Sequence, residues 1–409
     1  MTETGLTTAP RPLLLADGRA AADAWSLDPG VRHLNHGSFG AVPLAAQAVQ
    51  QKLRAEMERN PVVWFPGLAA RTGQARTAVA RFLNVDSDDL ALVPNASGGA
   101  SVVYNSLPFP AGGEIVVTDH GYGAVTMGAE RLARRHGGTL RTAHVPLDAD
   151  EDEAFAAVMS AVGERTGLVV VDHITSPTAR RLPVERIGRE ARRRGIPFLV
   201  DGAHVPGLLD DPLRDLECDF WVGNLHKFGC APRGAAVLVA RTPLRDGLYP
   251  LIDSWGAEDP FPGRFDSQGT LDVTGCLAAP AALGFIEDAW GWQAARTYMR
   301  ELGDYAVHVV GAAIAELTGD DRPVDVGMPV DALRLVRLPD GLAATRLEAD
   351  ALRDRVAREL DVAAAFTSFD GVGYVRLSTH VYNTAADYEY FAEKCVPVLG
   401  EWARTATRG

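Results

Sequence analysis

Lysine is rare in this sequence, and one lysine stands in a setting suited to covalent chemistry. Lysine occurs at three positions among 40 basic residues, so arginine supplies nearly all of the positive charge. Lys52 and Lys394 lie in polar helical stretches and are expected on solvated faces, whereas Lys227 is surrounded by small and apolar residues. Such an amine can act as a nucleophile, which an arginine cannot. We predict that Lys227 forms a Schiff base, against the alternative of a lysine that extends to solvent at a domain edge.

An aspartate precedes this lysine at the end of another apolar run. Asp201 closes the segment Phe198–Asp201 and is followed by Gly-Ala-His204. A carboxylate at that point could keep a ring nitrogen protonated, as a pyridoxal cofactor requires if it is to withdraw electrons. The alternative is an aspartate that only caps a turn. Together with Lys227, the strand-end aspartate favours a pyridoxal phosphate site.

Further polar turns follow apolar runs and could contact the same cofactor. The turn Asn95-Ala-Ser-Gly98 leads into a helix, where backbone N–H groups and a hydroxyl can hold a phosphate, unless the turn is only an N-cap. The ring of Tyr122 could stack on a planar cofactor. The turn that contains Thr175 and Ser176 could donate to a phenolic oxygen, or it could be an ordinary proline-containing turn.

The elements that must position these side chains alternate along the chain. Apolar runs of strand length are separated by segments with helical periodicity. The predicted strands are Leu90–Val93, Glu114–Thr118, Leu140–Val145, Gly167–Asp172, Phe198–Asp201, Asp219–Gly223, Ala235–Ala240, Leu333–Leu338 and Gly373–Leu377. The predicted helices are Pro43–Asn60, Gly67–Leu83, Gly123–His136, Asp150–Arg165, Val184–Arg194, a long stretch from about Pro280 to Ala315, Leu347–Leu360 and Ala385–Ala403. The alternation predicts an α/β fold with a mainly parallel sheet, whose ligands bind at the carboxyl ends of strands.

The same pattern predicts three regions. Residues 1–30 are expected to form an N-terminal arm that packs with the small domain. Residues 31–280 are expected to form a large cofactor-binding domain, and residues 281–409 a smaller α+β domain. No internal repeat interrupts this organisation.

Composition narrows the classes of partner. The 409 residues carry a formal net charge of -13, with a pI near 5.3, which argues against nucleic acid or an anionic membrane surface. The N-terminus lacks the apolar core of a signal peptide, and no apolar run reaches the roughly 20 residues that span a bilayer. The four cysteines are scattered without a CxxC pair, so neither a metal site nor a disulfide framework is predicted. We therefore expect a cytoplasmic protein.

Taken together, the segments resemble the class V aminotransferase-fold enzymes of fold type I, and among these the isopenicillin N epimerase-like branch. The pyridoxal phosphate enzymes of lincosamide biosynthesis are similar members of that branch. The resemblance extends over nearly the whole chain and rests on motifs in a fixed order: His33–Gly40, Asn95-Ala-Ser97, Asp119–Val125, His173–Thr178, Val200–His204, Gly223–Lys227, Gln268-Gly-Thr270 and Val375–Ser378 with Tyr382-Asn383.

The resemblance implies a role for each matching residue. Those implied in binding pyridoxal 5'-phosphate are Lys227, Asp201, His204, Ala96, Ser97, Gly98, Tyr122, Thr175, Ser176, Asn224, His226 and Thr270. Thr270 would reach the phosphate of a neighbouring subunit, which implies a homodimer with shared active sites. The substrate carboxylate would be bound by Arg376, Asn35 and Gly37. The implied catalytic residues are Lys227, Tyr122 and His36, with His380 as a further candidate acid.

The resemblance also implies a reaction at Cα or Cβ of a small amino-acid substrate in specialised, antibiotic-type metabolism. The leading interpretation is a C–S β-lyase or an oxidative decarboxylating deaminase that acts on a cysteine S-conjugate. An amino-acid epimerase is the first alternative, and a binding protein that keeps the fold without catalysis is the second. The segment Ala363–Tyr374 lacks the nucleophilic cysteine that related desulfurases carry there, so a persulfide-forming desulfurase is not expected.

Overall fold

The computed structural model describes residues 8–321 and 324–406, which divide into two compact units. The large unit contains Ala41–Ser176 and Arg181–Phe285. The small unit contains the described residues up to Gly40, the short segment Pro177–Arg180, and the described residues from Ile286 onward. The predicted domain limits at residues 30 and 280 stay predictions.

Strands and helices are numbered in chain order. The strands are β1 (Arg32–His33), β2 (Leu90–Val93), β3 (Glu114–Thr118), β4 (Thr139–Ala143), β5 (Thr166–Asp172), β6 (Phe198–Asp201), β7 (Phe220–Asn224), β8 (Ala236–Ala240), β9 (Leu333–Arg337), β10 (Val362–Ala363), β11 (Ala365–Phe369) and β12 (Val372–Ser378). The α-helices are α1 (His36–Phe39), α2 (Leu44–Arg59), α3 (Pro61–Trp64), α4 (Leu68–Phe82), α5 (Ala96–Ser106), α6 (Gly123–Arg135), α7 (Glu151–Ala161), α8 (Val184–Arg194), α9 (Thr274–Ala289), α10 (Trp292–Thr318), α11 (Arg346–Leu360), α12 (Ala385–Tyr390) and α13 (Val396–Ala406). A π-helical turn, Phe391–Cys395, joins the last two.

A sheet in the order β2-β8-β7-β6-β5-β3-β4 forms the centre of the large unit. The strands from β7 to β4 are parallel, and β8 runs antiparallel to both β7 and β2. Strands β2, β3, β6, β7 and β8 are buried along their whole length and are mostly apolar, which explains why the sequence predicts them. The predicted α/β class and mainly parallel sheet are confirmed. The ends of β5, β6 and β7 place Asp172, Asp201 and Asn224 at one edge.

Local signals set the helix bounds in the large unit. Helix α7 begins at a capping box, in which Asp150 and Glu153 each accept a hydrogen bond from the backbone of the other. It ends at Ala161, so the prediction of a helix to Arg165 was too long. Helix α8 ends as predicted at Gly195, which adopts the left-handed conformation with φ of 67°.

The small unit has a three-stranded antiparallel sheet in the order β11-β12-β9, and β1 pairs in parallel with β10. The single long helix predicted from about Pro280 to Ala315 is instead two helices. Helix α9 starts at Thr274, before Pro280, and α10 starts after Gly291, whose φ of 75° a right-handed helix cannot contain. Within the part of the chain that the structure describes, no helix combines the length and the hydrophobicity needed to cross a membrane.

Candidate active site

The side chain of Lys227 is buried in the large unit, just beyond the end of β7. Only 8% of the residue is exposed. Its Nζ atom lies 3.0 Å from Nε2 of His204 and 6.0 Å from the ring centre of Tyr122. These residues follow β7, β6 and β3 respectively, so three loops from the carboxyl edge of the sheet meet around one amine. The structure thus brings the three predicted residues together.

Asp201 ends β6 and has one carboxylate oxygen engaged and one available. Oδ1 accepts a hydrogen bond of 3.0 Å from the N–H of Ala203. Oδ2 is buried, and none of the described residues hydrogen-bonds to it. Burial raises the pKa of this carboxyl, while the Ala203 N–H and the charge of Lys227 lower it. A buried acceptor of this kind fits a protonated ring nitrogen, which would restore the missing hydrogen bond and stabilise the ionised form. The residues present therefore fit pyridoxal phosphate.

The first turn of α5 has the form of a phosphate-binding turn. Asn95 caps the helix by accepting a hydrogen bond of 2.8 Å from the N–H of Gly98. The N–H of Ala96 donates to Oδ1 of Asn224 at 2.8 Å, which ties the turn to the end of β7. The side-chain oxygen of Asn224 therefore already accepts a hydrogen bond. Direct contact between Asn224 and a phosphate stays a prediction, and the side-chain NH₂ group would be the donor.

Close packing holds α5 against the sheet. A Cβ atom at Gly99 would lie 2.7 Å from Cγ1 of Val222, so only glycine allows this approach. Ala96 is buried, and Ser97 and Gly98 are partly buried in the exposed end of the helix. An anion at such a helix N-terminus meets several backbone donors and the positive end of the helix dipole.

Asp172 was not among the predicted site residues, yet it lies close to two predicted loops. It ends β5 and is 3% exposed. The backbone N–H groups of Tyr122 and Ser176 lie beside its carboxyl. Burial and the neighbouring Asp201 raise its pKa, and these two N–H groups and Lys227 lower it. Thr175 is fully buried in the same turn, and Ser176 is partly buried.

The remaining large-unit candidates differ in exposure. His226 is partly buried, and burial together with Lys227 lowers its pKa to about 4, so its imidazole is neutral at pH 7. A neutral imidazole can donate one hydrogen bond to a phosphate, but it contributes no positive charge. Thr270 lies in an exposed stretch after Gly269. Its predicted reach into a neighbouring subunit stays a prediction.

Arg376 and its neighbours form a separate polar group in the small unit. Arg376 lies on β12, is 3% exposed, and donates from Nη2 to Ser38 Oγ at 3.0 Å and to Asn35 Oδ1 at 3.3 Å. The N–H of Gly37 donates to Ser378 Oγ at 2.9 Å. Burial lowers the pKa of Arg376 to about 10. A carboxylate beside this guanidinium would offset the burial, so the group fits the predicted substrate contact.

Sequence reasoning missed the two serines in this group. Ser378 lies two residues after Arg376 on β12, and side chains at this spacing share one face of a strand. That spacing could have indicated that Ser378 lies beside Arg376. No sequence pattern indicated Ser38, because it contacts Arg376 through a hydrogen bond between residues far apart in the sequence.

His36 lies among aromatic rings of the small unit. Its Nδ1 is 3.0 Å from the hydroxyl of Tyr382, and its ring stacks on that of His380 with centres 3.8 Å apart. Trp25 packs against both His380 and Tyr382. The two imidazoles are buried. The catalytic role of His36 stays a prediction.

Comparison with known proteins shows the family. The aminotransferase class-V family matches residues 46–319. The chain is 33% identical to the isopenicillin N epimerase of Streptomyces clavuligerus, over 95% of this chain and 100% of that protein. It is 26% identical to an L-cysteine desulfhydrase-like protein of Epichloe uncinata, over 80% of this chain and 79% of that protein.

A solved structure shares the fold. The cysteine desulfurase of Thermococcus onnurineus superposes with a TM-score of 0.75 at 19% identity, over 97% of this chain and 100% of that one. At this identity the likeness supports the fold alone, and it agrees with the predicted fold type I. With the family match over most of the chain, these findings show that the chain belongs to the aminotransferase class-V family of pyridoxal-phosphate-dependent enzymes.

Proposed function

We propose that this enzyme removes the Cα proton of an amino-acid substrate with the amine of Lys227 and returns a proton to the opposite face, which is an epimerisation. One observation carries the proposal: the Nζ atom of Lys227 lies over the ring of Tyr122, 6.0 Å from the ring centre. An epimerase needs an acid or base on each side of the reacting carbon, and an amine and a phenol can fill these roles.

The residues of the chain would bind the cofactor and the substrate, orient them and move the proton. When bound, pyridoxal phosphate withdraws electrons from Cα of the substrate and acidifies its proton. Asp201 would keep the ring nitrogen protonated, and the first turn of α5 would hold the phosphate. Arg376, with Ser38 and Asn35, would bind the substrate carboxylate and orient the molecule. His204, 3.0 Å from Nζ of Lys227, would orient that amine and exchange protons with it.

The relative at 33% identity supports the same reaction, because it is described as an isopenicillin N epimerase and is matched over its whole length. The natural substrate of the present enzyme would then be an amino acid, free or within a small peptide, whose Cα carries both an amine and a carboxylate.

Hydrogen exchange at Cα tests this proposal. The holoenzyme is incubated in D₂O with a panel of L-amino acids, S-alkyl-L-cysteines and isopenicillin N. The products are separated by chiral chromatography, and mass spectrometry measures the deuterium in each. An epimerase yields the other stereoisomer with deuterium at Cα and releases neither pyruvate nor a thiol. Deuterium that enters with full retention of configuration on every substrate would contradict the proposal.

The variant Tyr122→Phe sharpens the test, because it keeps the ring and removes only the hydroxyl. Exchange on the Lys227 face is expected to persist while inversion falls by about 100-fold, within the range of general acid catalysis. Lys227→Ala serves as the comparison, since it should abolish both. Equal losses of exchange and inversion in Tyr122→Phe would remove Tyr122 from the acid role.

A C–S β-lyase or an oxidative decarboxylating deaminase is the second candidate. The similarity to an L-cysteine desulfhydrase-like protein favours it. The same incubation distinguishes the three reactions, because a lyase releases thiol and pyruvate from S-alkyl cysteines, and an oxidative decarboxylase consumes oxygen and releases carbon dioxide.

We also propose a homodimer with shared active sites and a cytoplasmic location. Apolar side chains are exposed near Thr270, and the most exposed are Tyr249, Leu251, Ile252, Trp255 and Leu271. A second subunit that covered them would lower the free energy by removing apolar surface from water. Light scattering of the purified holoenzyme tests the dimer, and mixing inactive Lys227→Ala and Thr270→Val subunits should restore part of the activity if sites are shared. Fractionation of expressing cells tests the location.

A further inference from the structure

The last strand of the large sheet ends beside the loop that carries Tyr122. Strands β3 and β4 pair in parallel, and their register ends where Thr118 faces Ala143. Strand β4 stands at the end of the strand order, next to β3. The backbone pairing continues for one more residue, because the N–H of Asp119 donates to the carbonyl of Ala143 at 3.1 Å. Beyond that residue, side chains hold the two backbones together.

The side chains of Asp119 and His120 bind both backbone groups of Val145, two residues after the end of β4. The N–H of Val145 donates to Oδ1 of Asp119 at 3.1 Å. Nε2 of His120 donates to the carbonyl of Val145 at 2.7 Å. Val145 and His120 are fully buried, so water does not compete for these two hydrogen bonds. Together the two bonds form a clamp between the loop after β3 and the segment after β4, which we call the Val145 clamp.

An ion pair lies on the exposed side of the Val145 clamp. Nδ1 of His144 is 2.5 Å from Oδ2 of Asp119, although the two groups are not aligned as a hydrogen bond. The side chain of His144 is mostly exposed, and an exposed ion pair contributes little to stability. The buried bonds to Val145 therefore provide most of the attachment.

Tyr122 follows the Val145 clamp directly in the sequence. Only Gly121 separates His120 from Tyr122, and Tyr122 is the N-cap of α6. The backbone at Gly121 is closely packed, since a Cβ there would lie 2.9 Å from Oγ1 of Thr126 and 3.1 Å from the carbonyl oxygen of Thr118. Tyr122 itself is 43% exposed, so the packing of its ring is not enough to hold it. Its position depends on a backbone that the clamp holds on one side and α6 holds on the other.

We propose that Asp119 is a positioning residue for Tyr122. Together with His120, it attaches the loop after β3 to Val145, and this attachment fixes where the ring of Tyr122 stands. The inference rests on the proposed role of Tyr122 in returning the proton to Cα. It predicts that loss of the acceptor at position 119 impairs the step that needs Tyr122 more than the step that needs only Lys227.

Two substitutions separate the acceptor of Asp119 from its charge. Asp119→Asn keeps a side-chain oxygen for the N–H of Val145, whereas Asp119→Ala has no acceptor. Asp148→Ala is the matched control, because Asp148 is an exposed aspartate in the segment that follows Val145. If Asp119→Ala does not fold, as judged by circular dichroism, His120→Leu takes its place, since it removes the other bond to Val145.

The first measurement is hydrogen–deuterium exchange of the cofactor-free, full-length protein, which depends on no reaction. In Asp119→Ala, peptides that cover residues 119–122 and 143–147 should exchange about 10-fold faster than in the wild type or more, because the N–H of Val145 loses a charged acceptor. Asp119→Asn and Asp148→Ala should stay within about twofold of the wild type. Unchanged exchange in Asp119→Ala would overturn the proposal, because the loop would then not depend on this side chain.

The second measurement compares inversion with hydrogen exchange at Cα in the holoenzyme. Asp119→Ala should lower the rate of inversion by roughly 10- to 100-fold, since a small displacement of an acid can cost this much. Exchange on the Lys227 face should stay within about threefold of the wild type, because Lys227 is not part of the clamp. Asp119→Asn should keep most of the inversion. Equal losses of inversion and exchange in Asp119→Ala would indicate a general structural defect and overturn the proposal.

The variant Tyr122→Phe distinguishes failure of this inference from failure of the proposed reaction. If Tyr122→Phe keeps full inversion, Tyr122 is not the acid and the proposed reaction fails. The position of the ring is then measured by the circular dichroism of the visible cofactor band, which a neighbouring ring affects. Asp119→Ala should reduce that signal and Asp148→Ala should not. An unchanged signal in Asp119→Ala would overturn the positioning role of Asp119.

Discussion

Replacement of Asp201 by asparagine isolates the contribution of one buried charge. The substitution preserves the size of the side chain and the oxygen that accepts the N–H of Ala203, and it removes the negative charge at Oδ2. In the holoenzyme this charge would meet the ring nitrogen of the cofactor. We therefore expect Asp201→Asn to bind pyridoxal phosphate more weakly and to activate Cα of the substrate less.

The expected loss of affinity can be worked out from the burial of Asp201. Because Asp201 is 2% exposed, solvent does little to screen its interaction with a cationic ring. A hydrogen bond to a charged group contributes about 1.5 to 3 kcal/mol, and about 1.4 kcal/mol corresponds to a factor of ten. Affinity for pyridoxal phosphate should therefore fall by roughly 10- to 150-fold. The rate of Cα exchange should fall by at least as much, since an unprotonated ring withdraws electrons less effectively.

Titration of the cofactor-free protein with pyridoxal phosphate, followed by absorbance in the visible region, measures the affinity. Asp148→Asn provides the control, because Asp148 is exposed and the same chemical change there should leave affinity unaltered. An Asp201→Asn protein that binds the cofactor within twofold of the wild type, with an unchanged exchange rate, would refute the assignment of Asp201 to the ring nitrogen.

Three other outcomes are expected. Lys227→Ala should eliminate the visible absorbance band of the purified holoenzyme, and a band that persists would remove Lys227 from its proposed role. Arg376→Lys should raise KM for the amino acid by roughly 10- to 100-fold with a smaller change in kcat, because a lysine cannot donate two parallel hydrogen bonds; steady-state kinetics would show this, and an unchanged KM would contradict it. In the cofactor-free protein, the folded-state pKa values of Asp172 and Asp201 are raised above the ordinary 3.8, so their contribution to stability is present at lower pH and is lost as pH rises through the raised values. Denaturant unfolding should show Asp201→Asn gaining stability relative to the wild type as pH increases above about 4, and a difference that is independent of pH would contradict the raised pKa values.

The sequence predicted the large-unit sheet well because most of its strands are covered on both faces. In β6, for example, the run Phe198–Val200 is apolar at every position, and no helical periodicity competes with that pattern. Strand β11 escaped prediction for the opposite reason. Thr367 and Ser368 are only partly buried and interrupt its apolar character, so pairing with β12 decides its conformation.

The site was predictable where a residue type is chemically obligatory and less so where geometry decides. Lys227 stood out because its chemistry has no substitute among 37 arginines and two solvated lysines. Asp172 did not stand out, because only its register with Asp201 and its burial bring it to the site. The hydrogen bond from the Ala96 N–H to Asn224 could not be predicted either, because the sequence does not show whether an asparagine binds a phosphate or another part of the protein.

The small unit combines segments that lie far apart in the sequence, and this affects how the chain folds during synthesis. Residues 8–40 belong to this unit, where β1 pairs with β10 and Trp25 stacks on Trp290 with ring centres 6.3 Å apart. Residues 8–40 are therefore synthesised well before these two partners, and at roughly 5 to 20 residues per second the delay is on the order of tens of seconds. Throughout that interval the segment lacks both contacts and leaves the apolar ring of Trp25 open to chaperones and to aggregation. A shortened chain that ends before Trp290 would never form either contact.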